Sequence, residues 1–126
     1  MAKTTPKQYE IFQVEVKKWI EIFGLKDWQI HFQHKSTISS RAQVRFDSIG
    51  CIATFTLATS WNELDKTFLN DTAIKKAGFH EVCELLLGRL RKMTGQRYGL
   101  LEGDIDEEIH RIIRILENTI WEKNNE

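Results

Sequence analysis

Apolar residues fall at Tyr9, Phe12, Val16, Trp19, Ile20 and Phe23, at spacings of three and four, between Thr5-Pro6 and Gly24. That period is one face of an amphipathic helix, with Thr5 placed to cap it, Pro6 in its first turn and Gly24 to stop it. The period then changes to two. Trp28, Ile30 and Phe32 alternate with Gln29, His31 and Gln33, and Ala42, Val44 and Phe46 alternate with Gln43, Arg45 and Asp47. Each set predicts a strand with one buried face, leaving His31, and His34 near the strand end, exposed. Ser48-Ile49-Gly50 reads as a turn, and Cys51 to Thr59 (CIATFTLAT) as a third strand. Short links of this kind favour an antiparallel meander.

After a polar stretch from Ser60 to Asn70, the helical period returns from about Asp71 to Met93, with Phe79, Val82, Cys83, Leu86, Leu87 and Leu90 on one broad face. Glycines punctuate the segment from Gly95 to Gly103. Asp104 can cap a last helix through about Trp121, and Ile105, Ile109, Ile112, Ile113, Leu116 and Ile120 predict its buried stripe. The order helix, three strands, helix, helix predicts an α+β fold: a three-stranded, mainly antiparallel sheet with the later helices packed on it. The 126 residues suit a single domain with one core, frayed over 1–5 and 122–126.

Composition narrows the function classes. Lys+Arg and Asp+Glu are both 18, so the formal charge is zero, which argues against a general nucleic-acid or membrane-surface binder. The sequence MAKTTPKQYE has no apolar stretch of a secretory signal, and no apolar run approaches the roughly 18 residues of a membrane span. Cys51 and Cys83 form neither a disulfide framework nor a CxxC zinc site. A reducing, cytoplasmic setting follows, and any metal site must be built from His, Asp and Glu.

One stretch carries candidate chemistry. In GFHEVCELLLGRL, His80 and Glu84 are four residues apart and share a helix face, so an imidazole nitrogen and a carboxylate oxygen can aim at one point. Zinc accepts both donor types. Glu81 projects about 100° from His80, where it can take a proton from a metal-bound water. Ala73 and Ala77 lie on the same stripe, and their small size would let the helix sit close over a sheet edge. A third ligand is required. His110 on the last helix is one candidate, with Asp106, Glu107 and Glu108 as alternatives. Against all this stands the plain reading of a His and two Glu on a solvated flank. Cys83, one turn from His80, falls on the apolar face and reads as packing rather than as a nucleophile.

The order of elements, the phrase Gly24-Leu25-Lys26-Asp27-Trp28-Gln29-Ile30, the segment Ala53-Thr54-Phe55-Thr56-Leu57, the His-Glu helix and the run from Glu107 to Asn118 resemble a family of small phage-encoded metallopeptidase-like proteins. That family is related in outline to SprT-like minimal zincins, and the resemblance covers almost the whole chain. It implies a zincin-like fold with His80 as first ligand, Glu81 as general acid/base and position 84 as second ligand. The family pattern expects histidine at 84, and this chain has glutamate, HExxE in place of HExxH.

Two functions follow as expectations. One is a metal-dependent hydrolase of peptide type, with Glu81 catalytic, His80, Glu84 and His110 holding zinc, and the Thr54/Thr56 strand either pairing with an extended substrate or equally covered in the fold. A harder, carboxylate-rich shell would favour manganese, magnesium or calcium over zinc, and loss of the metal altogether is the third outcome. The other is an inactive scaffold that binds a host or viral protein, or nucleic acid through the basic cluster Arg89, Arg91, Lys92 and Arg97, in a host cytoplasm. That cluster equally suits the cationic end of a helix. Oligomeric state is not legible.

Overall fold

The computed structural model describes residues 2–62, 69–94, 102–121 and 123. The chain runs β1 (Ala2–Lys3), α1 (Pro6–Ile22), β2 (Gln29–His34), β3 (Ala42–Asp47), β4 (Ile52–Leu57), β5 (Ser60–Trp61), α2 (Asp71–Leu86), α3 (Gly88–Thr94) and α4 (Glu102–Leu116), with a π-helical turn over Glu117–Trp121. Helices and strands together make an α+β fold, as the change of period predicts.

Helix α1 is fixed at both ends by local chemistry. The Thr5 hydroxyl accepts from the Gln8 N–H, and the Gln8 side chain accepts from the Thr5 N–H, a capping box behind Pro6. At the other end Leu25 N–H reaches the Ile20 carbonyl and Gly24 N–H the Glu21 carbonyl, with Gly24 at φ +68°. This pair of bonds is a Schellman stop, and its left-handed residue is the one glycine tolerates best. Buried Leu25 then turns the chain toward β2.

The sheet departs from the expected meander. Its order is β2-β4-β3: β3 and β4 form an antiparallel hairpin, but β2 lies parallel to β4, with Phe32 opposite Phe55. The sheet is therefore mixed, not mainly antiparallel. Apolarity gives the reason. In β4, Ala53, Phe55 and Leu57 are fully buried and even Thr56 is only 2% exposed, so this strand takes the centre. Strands β2 and β3 alternate polar with apolar and suit the edges. The link of residues 35–41 must consequently cross the C-terminal end of β4. It is fastened there by Lys35 N–H to the Leu57 carbonyl and by Ala58 N–H to the Arg41 carbonyl. A central β4 also leaves Thr54 and Thr56 no free edge, which overturns the expectation that this strand pairs with a substrate.

A second, two-stranded sheet joins β1 to β5, antiparallel. The start of the chain is thus tied down rather than frayed over 2–5. Thr4 is buried, donates its hydroxyl to the Ala58 carbonyl and bonds His34 Nε2 at 2.6 Å, while Tyr9 stacks on the His34 ring. His34 is accordingly half-buried and His31 exposed.

Helix α2 starts at Asn70, whose side chain accepts from Ala73 N–H, and packs between α1 and β3. Gly78 meets α1 at Val16, and Gly88, where α2 gives way to α3, lies against the Phe46 ring of β3. A Cβ at Gly88 would run into the Phe46 Cζ, so glycine is what allows that approach. Helix α4 packs by only one flank of the stripe expected, the one that carries Ile112. Ile112 is buried, Ile115 packs against the core, and Glu108, 5% exposed, is held by Arg111. Ile109, Ile113, Leu116 and Ile120 face solvent instead. The apolar arc of this helix spans roughly 160° at 100° per residue, wider than its contact, and only the flank carrying Ile112 and Ile115 is used. Arg97 and residues 122 and 124–126 lie outside the described residues.

Candidate functional site

The His-Glu segment sits on the last two turns of α2, where the helix passes over the β3 edge. Ala73 and Ala77 are half-buried there, and with Ala42 they leave an open cleft of about 370 Å³. Arg41, Trp61, Lys76, His80 and Glu81 complete its walls.

Glu81 is the inner residue of the site. Its side chain turns from the exposed stripe toward the sheet and is 8% exposed. Burial first, and the negative charge of Glu84 second, push its carboxyl up from an ordinary 4.5 to about 7. The backbone N–H of Val44, on β3, donates to that carboxyl and works the other way, favouring the charged form. A carboxyl that is half ionised near neutrality, oriented by a backbone donor and open to a cleft is equipped to accept and return a proton.

His80 and Glu84 form the outer layer. His80 Nε2 stands 3.6 Å from Glu84 Oε1, and the other carboxylate oxygen, Oε2, receives Arg91 Nη1 at 3.1 Å. His80 is well exposed, 68% by side chain, and Glu84 half-buried. Two ligand atoms of one tetrahedral zinc, each about 2.1 Å from it, stand roughly 3.4 Å apart. The spacing and donor types of the pair therefore fit a shared cation. Arg91 on the far oxygen is the kind of outer contact that orients a ligating carboxylate.

The third expected ligand is not brought to this pair. His110 is exposed on α4, and its Nδ1 lies 2.7 Å from the Asp106 carbonyl of its own helix. Asp106 and Glu107 are exposed, and Glu108 is engaged by Arg111. Among the described residues, no group of three or more His, Cys, Asp or Glu side chains comes together in a way that could hold a metal.

Cys83 is half-buried, and burial together with Glu84 raises its thiol pKa, the wrong direction for a nucleophile. Of the basic cluster, Arg91 serves Glu84, Lys92 reaches the Ser48 hydroxyl and lies over the Phe46 ring, and Arg89 lines a separate hollow with Arg111. Each of these three has its own contact, and Arg97 lies outside the described residues. Sequence reading missed Val44, Arg41, Trp61 and Lys76 as members of the site. The phase of β3, which aims alternate N–H groups outward, was the one signal for Val44.

The comparisons with known proteins add nothing to this picture: no protein-family model, curated protein or solved structure matches the chain. Among the described residues no helix is long and apolar enough to cross a membrane.

Proposed function

We propose that this chain is a metal-dependent hydrolase of peptide bonds on a zincin-like fold, with Glu81 as its general acid/base. One observation carries the reading: a carboxyl tuned to about 7 is buried in the wall of an open cleft, one residue from a donor pair with metal-ligand spacing. In the ionised form Glu81 removes a proton from the attacking water as its oxygen bonds to the peptide carbonyl carbon. The protonated Glu81 then gives that proton to the departing amine as the C–N bond breaks. Val44 N–H holds the carboxyl in place through both steps. His80 and Glu84 would hold the metal, zinc by donor type, with manganese as the second choice, and a bound metal would lower the water's pKa toward neutrality. His110 is the third ligand to be tested. Two unpaired cysteines suit a reducing cytoplasm, where the substrate would be a host or viral protein.

Arg91 favours a second reading. A guanidinium already on Glu84 neutralises it without a metal, as an inactive scaffold that only binds a protein partner would allow.

The test is the metal content of untagged protein, by elemental mass spectrometry, beside His80→Ala, Glu84→Ala and His110→Ala. The hydrolase reading expects near-stoichiometric metal, lost in the first two variants, and cleavage of a quenched-fluorescence peptide mixture that disappears in Glu81→Gln. Metal-free protein even after incubation with zinc or manganese would sink it and leave the scaffold.

A further inference from the structure

We propose that helix α4 is a dimer contact: two copies of the chain pair along it, antiparallel and about a two-fold axis, through Ile109, Ile113 and Leu116. The inference does not rest on the hydrolase reading.

The helix is anchored on one side and open on the next. Ile112 is buried, Ile115 packs against the core, and buried Glu108 is held by Arg111, so these positions fix which side faces the body of the protein. At about 100° per residue, Ile109, Ile113 and Leu116 lie roughly 40–100° round the helix from Ile112, all on the same side. Their exposures are 37%, 43% and 38%. Three large aliphatic side chains left half in water on adjacent turns make a contiguous apolar stripe, the kind of surface that marks a contact. Their spacings, four and then three, are those of the apolar seam along which two helices pair.

Charge selects the occupant. The outer border of the stripe carries Asp106, His110 and Glu117, all exposed. Two carboxylates there repel an anionic membrane surface, whose amphipathic helices carry Lys and Arg on the polar face. A second α4 complements the same border. In the antiparallel register that sets Ile113 against Leu116 of the second copy, His110 stands beside Glu117 of the second copy. Asp106 then reaches the final described turn of the second copy, where the sequence places Lys123. Two-fold symmetry makes each of these contacts twice. A parallel pair would instead set Asp106 against Asp106 and Glu117 against Glu117, like charge on like. The seam from Ile109 to Leu116 is about 10 Å long. Such a contact falls below the roughly 800 Å² per partner of a standard interface, so the dimer is a weak and reversible one.

The experiment is sedimentation equilibrium of the full-length chain from about 5 to about 500 μM. Wild type is compared with Ile113→Glu, Leu116→Glu, Glu117→Lys and the swap His110→Glu/Glu117→Lys. A reversible dimer with a dissociation constant of roughly 10–100 μM is expected for wild type. Ile113→Glu and Leu116→Glu should each remain monomeric throughout with the far-UV circular dichroism of wild type, because both side chains are exposed. Two independent variants keep the test valid should one of them lose helix. Glu117→Lys should weaken the dimer by about threefold or more, by placing a cation beside His110, and the swap should restore it. A wild-type chain that stays monomeric across the range would overturn the proposal, whatever else covers the stripe. A dimer indifferent to both apolar substitutions would lie on another surface and overturn it equally. Failure of the swap to rescue Glu117→Lys would remove the antiparallel register, and with it the argument that a second copy is the occupant.

Discussion

The backbone N–H of Val44, on the edge strand β3, donates a hydrogen bond to the carboxyl of Glu81 on helix α2. The donor belongs to the sheet and the acceptor to the helix packed on it. The bond also opposes the burial and the Glu84 charge that together hold the carboxyl near 7. Glu81 is thus ionised at some cost and oriented in compensation.

That cost is measurable as pH-dependent stability. The carboxyl pKa is about 7 in the folded chain against an ordinary 4.5, so the folded form binds the extra proton between those values and loses stability as pH rises through them. The full shift sets a ceiling of about 3 kcal/mol. Solvent reaching the cleft reduces the expected effect to roughly 1–2 kcal/mol. Glu81→Gln, which keeps an acceptor for Val44, is expected to melt higher than wild type at pH 8, with the difference shrinking toward zero near pH 4.5. A constant difference across that range would show that Glu81 does not titrate as described.

Glu84 supplies the second part of the shift. In Glu84→Gln the Glu81 carboxyl should titrate at a lower pH than in wild type while remaining above 4.5, because burial, the larger cause, is unchanged. Carboxyl carbon chemical shifts followed through a pH series read this directly. An unmoved midpoint would show that the two carboxyls do not interact.

Arg91 holds one oxygen of Glu84 and leaves the other facing His80. If the pair binds metal, Arg91→Ala should weaken metal affinity by about ten- to a hundredfold, the usual effect of removing a contact that orients a ligand. Competition with a chelating dye gives the number. An affinity that rises in Arg91→Ala would make the guanidinium a competitor for Glu84 and support the scaffold reading.

Gly88 is the hinge of the α2–α3 corner against Phe46. Gly88→Ala places a Cβ into that ring, and the expected loss is about 1–2 kcal/mol, an overpacking penalty offset in part by better helix propensity. The double variant with Phe46→Leu should recover most of it in urea denaturation. A stabilised Gly88→Ala would mean the ring moves aside freely.

Much of this arrangement is legible in the sequence. The capped helix ending at Gly24, the β3–β4 hairpin and the placing of His80 over a sheet edge by Ala73 and Ala77 follow from period and residue size. Strand order does not follow from link length, which ignored how much more apolar β4 is than its neighbours. The pairing of β1 with β5 involves two residues on each side, too few for any periodic signal. In α4, an apolar arc wider than its contact leaves the packed flank undetermined, and the buried Glu108–Arg111 pair marks that flank only once the fold is known. Glu81 reads as solvated because charged residues usually are. Its burial is decided by β3, about forty residues earlier in the sequence, whose N–H stands ready to receive it.

The crossing of residues 35–41 also constrains the order in which the sheet can assemble. Hairpin partners such as Asp47 and Ile52 are near neighbours in the chain, whereas β2 meets β4 across a much longer loop, Gln29 pairing with Ile52. Loop-closure entropy favours the hairpin first, with β2 laid along its open side afterwards. Docking β2 pulls the link over the end of β4, toward an Arg41 whose carbonyl is already held by Ala58 at the open end of the hairpin. One cation of the cleft therefore comes with the hairpin and its Trp61 floor with the pairing of β5 and β1, so an opening of β2 would strip one edge of the sheet and leave both in place.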